Sequence, residues 1–189
     1  MATAGALLRV DAQIQLGGSL QATSGLKQRQ LPSARCQLDG QGRAYVGNFG
    51  FDILSGEPAK PGSVILVQPD GRTSVAAQGL KGPNGSVVTP DGRLVAAESF
   101  ARRLASFPVN ADGSLGEQPT EIRLEGSPDG ICLDTEGGIW VARFDKNRFD
   151  RVLDGKVVET IETPGRHAVA SQLGGADGRT LFCQPMKVR

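Results

Sequence analysis

Four turn glycines, Gly42, Gly92, Gly137 and Gly178, recur along this 189-residue chain at spacings of 50, 45 and 41 residues. The first three each close the same construction and are followed by an apolar run: Ala44-Tyr45-Val46, Leu94-Val95-Ala96-Ala97 and Ile139-Trp140-Val141-Ala142. A near-constant period in the range of 40 to 50 residues means one supersecondary unit repeated, and equivalent positions in the repeat mean equivalent places in the fold.

Each unit can be divided into four strands. In the second they are predicted at Gly85–Thr89, Leu94–Glu98, Arg103–Val109 and Thr120–Leu124. The dipeptides Asp70-Gly71, Asp112-Gly113 and Asp154-Gly155 separate third from fourth strands as hairpin turns, and unit boundaries fall near Pro83, Pro128 and Pro164. The 26 glycines and 11 prolines are spread at regular intervals, and no dozen residues free of them carry helical apolar spacing, so helix content is expected to be low. The fold class is therefore all-β, a β-propeller of four-stranded antiparallel blades. Three whole blades are expected, with half blades at Leu7–Asp11 and Ser19–Ala22 before them and at Ala168–Leu173 and Thr180–Cys183 after them. Joining the outer strands of one end to the inner strands of the other would give four blades; left open, such edges invite self-association. One connection is long, from Asn48 to Pro61, and is expected on the same face as the starts of the first strands.

The position eight residues before the turn glycine is Ala34 in the first repeat, Asn84 in the second and Asp129 in the third. An amide and a carboxylate at equivalent points of neighbouring repeats suit a hard cation. The same residues have a simpler reading, since Asn-Gly and Asp-Gly after proline form turns unaided.

Charge excludes more than it suggests. With 21 basic and 20 acidic residues, nothing points to nucleic acid or an anionic membrane surface. Cys36, Cys132 and Cys183 lack metal-ligand spacing and are read as buried free thiols, which favours a reducing compartment, the cytoplasm. Met1–Leu8 makes a poor signal peptide, and no run is long enough to span a bilayer as a helix. No phosphate loop, Ser-His-Asp set or zinc-type cysteine cluster is visible.

The ordered motifs Ala44-Tyr45-Val46-Gly47-Asn48-Phe49-Gly50-Phe51-Asp52, Gly82-Pro83-Asn84-Gly85, Thr89-Pro90-Asp91-Gly92-Arg93, Ala97-Glu98-Ser99 and Pro128-Asp129-Gly130-Ile131-Cys132-Leu133-Asp134 resemble the SMP-30/gluconolactonase/LRE-like family over roughly residues 39–182, with 1–33 atypical within a single domain of 1–189. The resemblance implies a divalent-metal-dependent sugar lactonase on a six-bladed propeller, with Ca²⁺ the expected ion and Zn²⁺ or Mn²⁺ alternatives. It implies Asn84 and Asp129 as metal ligands, Asp129 also as general base, and Asp52 as a contact to substrate. It departs from the family at three points: a metal-binding Glu near the N-terminus has no counterpart, Ala34-Arg35 stand where an Asn-Asp pair is usual, and Pro32 stands at an arginine position. The chain looks like a shortened member lacking about two blades.

Arg102, Arg103, Lys146 and Arg148 fall on equivalent second-to-third-strand loops of the same face, where Arg102 can attract an acidic sugar derivative or remain a solvated charge. His167, the one histidine, begins the last inner strand and is a further candidate for substrate contact, or a solvated loop residue. Trp140 and Tyr45 read as blade core. The expected activity is hydrolysis of a small sugar lactone; the alternatives are hydrolysis of another ester or organophosphate, and a non-catalytic propeller that binds a ligand or protein.

Overall fold

A computed structural model describes residues 36–187, apart from 54 and 118. Ala34 and the segments Leu7–Asp11 and Ser19–Ala22 lie outside the described residues. Within them the regular structure is strand, broken by one 3-10 turn at Phe144–Lys146. The first antiparallel sheet contains β1 (Cys36–Leu38), β2 (Ala44–Asn48), β3 (Gly62–Val67) and β4 (Thr73–Leu80) in that order. The second contains β5 (Pro83–Val88), β6 (Arg93–Glu98), β7 (Arg103–Pro108) and β8 (Thr120–Arg123). The third contains β9 (Pro128–Leu133), β10 (Ile139–Arg143), β11 (Arg148–Leu153) and β12 (Lys156–Glu162). A two-stranded sheet of β13 (Arg166–Gly174) and β14 (Thr180–Lys187) follows.

Every strand of a sheet pairs with its neighbours in sequence, the up-and-down order of a propeller blade. The repeated turn is built the same way each time. In the first sheet the Asp39 carboxylate accepts the N–H groups of Gln41 (2.9 Å) and Arg43 (3.0 Å), while Gly42 takes the positive φ of 77° that lets the chain reverse. Asp134 repeats this in the third sheet with Glu136 (3.0 Å) and Gly138 (2.8 Å). In the second sheet Thr89 substitutes its hydroxyl, which accepts the Arg93 N–H at 3.2 Å.

The cores lie between successive sheets. Tyr45, Val64 and Leu66 of the first pack on Leu94, Ala96, Ala105 and Phe107 of the second. Val87, Val95, Ala97 and Leu104 of the second pack on Ile131, Ile139, Val141 and Val152 of the third. Cys132, Trp140 and Phe149 pack on Ala168 of β13. Tyr45 and Trp140 are core residues as read from the sequence; the Tyr45 hydroxyl is satisfied by the Gly113 carbonyl at 3.0 Å. The three cysteines are free thiols, but only Cys132 is buried. Cys36 and Cys183 are half-buried. No helix among the described residues is long and apolar enough to cross a membrane.

Candidate functional site

Asn84 and Asp129 occupy the same place in successive sheets, the second residue of the first strand, directly after a fully buried proline. A proline at the first position of a strand fixes φ without removing a ladder hydrogen bond, so both side chains leave the backbone at a defined point. The two strands approach so closely that a β-carbon on Gly85 would lie 2.6 Å from the Ile131 nitrogen and 2.8 Å from the Asp129 carbonyl oxygen. On the other flank, Gly47 of β2 lies against the Pro83 and Asn84 carbonyls, its β-carbon position being 3.1 and 3.3 Å away. Backbone contact through two glycines therefore sets where Asn84 stands.

Asn84 is buried, and its amide donates to the Ser99 hydroxyl at 3.4 Å. Ser99, also buried, donates in turn to the Pro128 carbonyl at 2.7 Å, one residue before Asp129. Asp129 itself is half-buried. The approach to Asn84 is clamped by the end of β6. The fully buried Glu98 carboxylate accepts the Lys81 N–H at 2.6 Å and pairs with Arg103. The Ser99 and Phe100 N–H groups donate to the Gly82 and Lys81 carbonyls at 3.0 and 3.1 Å.

The other candidates make their described contacts elsewhere. Asp52 lies in the long connection, where its carboxylate accepts the Ser55 N–H (3.2 Å) and its own N–H meets Glu57 (3.2 Å). The loop is anchored by Phe49 and Phe51, whose rings each lie 5.8 Å from that of Phe100 in the β6–β7 turn. Arg102 sits in the same turn with a left-handed φ of 53° and faces Asp145 at 3.8 Å across the seam to the third sheet. Arg103 pairs with Glu98 and Glu121. Lys146 and Arg148 reach Glu125, whose carboxyl the Lys146 hydrogen bond and charge hold below the ordinary carboxylate range. Arg103 and Arg148 are thus paired and largely covered, whereas the Arg102 side chain stays 64% exposed beside Asp145. His167 is half-buried at the start of β13, stacked on Phe144 at 4.2 Å, with Nδ1 3.0 Å from the Phe144 carbonyl oxygen. A carbonyl can only accept, so Nδ1 carries the proton.

The sequence carries Glu98 and Ser99 within one of its motifs but reveals no role for them. Sequence reasoning also missed the buried ion pair of Arg143 with Asp150 (3.1 Å), which secures the β10–β11 end of the third sheet. The available signal was Arg143 closing the apolar run of β10 and Asp150 set behind Phe149 in the next strand.

For a metal ion, Asn84 and Asp129 offer one neutral and one anionic oxygen ligand. Among the described residues no three His, Cys, Asp or Glu side chains come together. That donor set fits a hard ion that keeps several waters, and does not fit a closed tetrahedral site.

Residues 5–184 match the SMP-30/Gluconolactonase/LRE-like region. The chain is 29% identical over 181 residues to a 6-deoxy-6-sulfogluconolactonase of Pseudomonas putida, covering 92% of this chain and 60% of that one. It is 38% identical over 158 residues to regucalcin of Gallus gallus, covering 77% and 52% respectively. A solved calcium-binding regucalcin of Agrobacterium tumefaciens superposes with a TM-score of 0.69 at 23% identity, over 80% of this chain and 52% of that chain. The chain thus spans about half to three fifths of the length of these relatives. The sheet order and the extent of the match agree: the chain belongs to the SMP-30/gluconolactonase/LRE-like family.

Proposed function

We propose that the protein hydrolyses a small sugar lactone with the help of a divalent ion held by Asn84 and Asp129. The carrying observation is the placement of these two residues at one register on inner strands in backbone contact, in a chain of this family. The sulfogluconolactonase relative supplies the substrate class, and the calcium-binding regucalcin supplies Ca²⁺ as the first ion to test. When bound, such an ion supplies Lewis-acid polarisation of a carbonyl oxygen and acidifies coordinated water. Asn84 contributes an uncharged oxygen ligand that leaves the site's net charge to the carboxylate. Asp129 takes the proton of the attacking water, for which a half-buried carboxylate beside the site is chemically suited. Ring opening then yields a hydroxy acid. Asp52, Arg102 and His167 are proposed as substrate contacts at the mouth, and the three free thiols favour the cytoplasm as the working compartment.

Hydrolysis of glucono-δ-lactone followed by pH-stat, with and without Ca²⁺, Zn²⁺ or Mn²⁺, tests this reading. The expected result is a metal-dependent rate that Asp129→Ala lowers at least about a thousandfold, as loss of a ligand that is also the base demands. Background hydrolysis with every ion overturns it for this substrate. One observation favours a second reading, a non-catalytic ligand-binding module: Ala34-Arg35 stand where the family resemblance implies an Asn-Asp pair. Saturable binding of gluconate without turnover of the lactone is the outcome it expects.

A further inference from the structure

We infer that Ser99 is a positioning residue: its buried hydroxyl fixes which way the Asn84 amide faces and ties that amide to the strand carrying Asp129. The inference deepens the metal-site reading of Asn84 and Asp129, on which it rests for its functional meaning.

Proton accounting carries it. The Pro128 carbonyl has no proton to give, so its 2.7 Å contact with Ser99 uses the Ser99 hydroxyl hydrogen. Ser99 Oγ then has only lone pairs to offer Asn84, 3.4 Å away. An Asn84 turned the other way would set carbonyl oxygen against hydroxyl oxygen, so the amide presents Nδ2 to Ser99. Its Oδ1, the atom a cation takes, is thereby turned away from Ser99. The backbone around the pair leaves little else free. Lys81 is held by the Glu98 carboxylate, and Gly82 and Lys81 carbonyls accept from the Ser99 and Phe100 N–H groups. With the approach to Asn84 fixed, the remaining freedom is rotation of its amide, and the Ser99 hydroxyl accepts from that amide. Both residues are buried, at 8% and 9% exposure, so water is a poor substitute for the hydroxyl.

The link also crosses a seam. Asn84 belongs to the second sheet and Pro128 to the third, and Ser99 directly follows β6 of the second. One hydroxyl therefore joins the backbone beside Asp129 to the side chain of Asn84. Removing it takes this restraint from the amide and deprives the Pro128 carbonyl of this partner.

Two measurements on the full chain test the inference. The first follows hydrogen exchange of the Asn84 side-chain NH₂ by ¹⁵N–¹H NMR, the signal being assigned by its loss in Asn84→Ala. Exchange in the wild type is expected to be slowed, and Ser99→Ala is expected to speed it about tenfold or more. Bulk-like exchange in the wild type, or no change in Ser99→Ala, overturns the inference, and the wild-type arm stands even if the variant does not fold. The second titrates Mn²⁺ by calorimetry into wild type, Ser99→Ala, Asn84→Ala and the double variant. Ser99→Ala is expected to weaken binding about tenfold, the usual effect of losing a partner that orients a ligand. In the Asn84→Ala background it is expected to add no further loss. An equal loss in both backgrounds marks a merely structural role and overturns the inference. If the wild type binds no Mn²⁺, the metal reading fails for that ion while the amide exchange still decides the role of Ser99.

Discussion

Gly85 and Gly92 belong to the same repeat, and the structure asks different things of them. At Gly85 a β-carbon would meet backbone atoms of β9 at 2.6 to 2.9 Å, so there is no flexible side chain to give way. Gly85→Ala is expected to destabilise the protein by about 3 kcal/mol, read from the urea midpoint, because the inner strands must part. At Gly92 a β-carbon meets nothing within 4 Å, but φ is +77°, so Gly92→Ala pays only backbone strain, about 1 kcal/mol. Only the first substitution is expected to separate Asn84 from Asp129, and so to weaken any ligand that bridges them. The comparison places site geometry under the control of a residue with no functional group.

The repeated turn is the element that binds each sheet's first two strands, and its chemistry sets a pH response. Burial pushes the Asp134 carboxyl upward, but the hydrogen bond from Arg151 at 2.6 Å and those from the Gly138 and Glu136 N–H groups outweigh it and leave the group below its ordinary value. A carboxyl held lower in the folded state stabilises the fold above its unfolded value near 4, and that contribution disappears as pH falls through the folded value. Asp134→Asn is therefore expected to lower stability at pH 7 by about 2 kcal/mol. The gap from wild type should close under acid conditions, which thermal melts at pH 7 and below pH 3 will show. Such turns were legible in the sequence because Asp, Gly and the following apolar run are local signals. The second sheet shows how well: its strands begin at Pro83, Arg93, Arg103 and Thr120, close to the starts read from Gly85, Leu94, Arg103 and Thr120. The equivalent placement of Asn84 and Asp129 was legible for the same reason, as equal offsets in a repeat. Ser99 and Glu98 were not, because their partners lie 15 to 29 residues away and no local pattern records a hydrogen bond across a seam. The pairing of Arg102 with Asp145 escaped for the same reason.

At the scale of the molecule, cohesion lies between sheets. Each described core joins one sheet to the next, with Leu94, Leu104 and Phe149 fully enclosed, and each such side chain contributes about 2 kcal/mol of apolar burial. Among the described residues the series stops at β14, which pairs with β13 alone and leaves Phe182 and Met186 at 57% and 50% exposure. Concentration-dependent association is expected in analytical ultracentrifugation, and Phe182→Lys with Met186→Lys is expected to suppress it by charging that edge. A monomer at all concentrations would mean that the edge is occupied within one chain. The arrangement of Asn84 and Asp129 has a historical reading as well. Each is supplied by its own repeat, at a position copied whenever the repeat is copied. Gene duplication or recombination that moves a complete repeat would then move one of the two proposed ligand positions with it, ready to be kept as an oxygen donor or silenced by a single codon change. A binding site built in this way would be inherited in repeat-sized portions, and its chemistry could be revised one portion at a time without redrawing the scaffold.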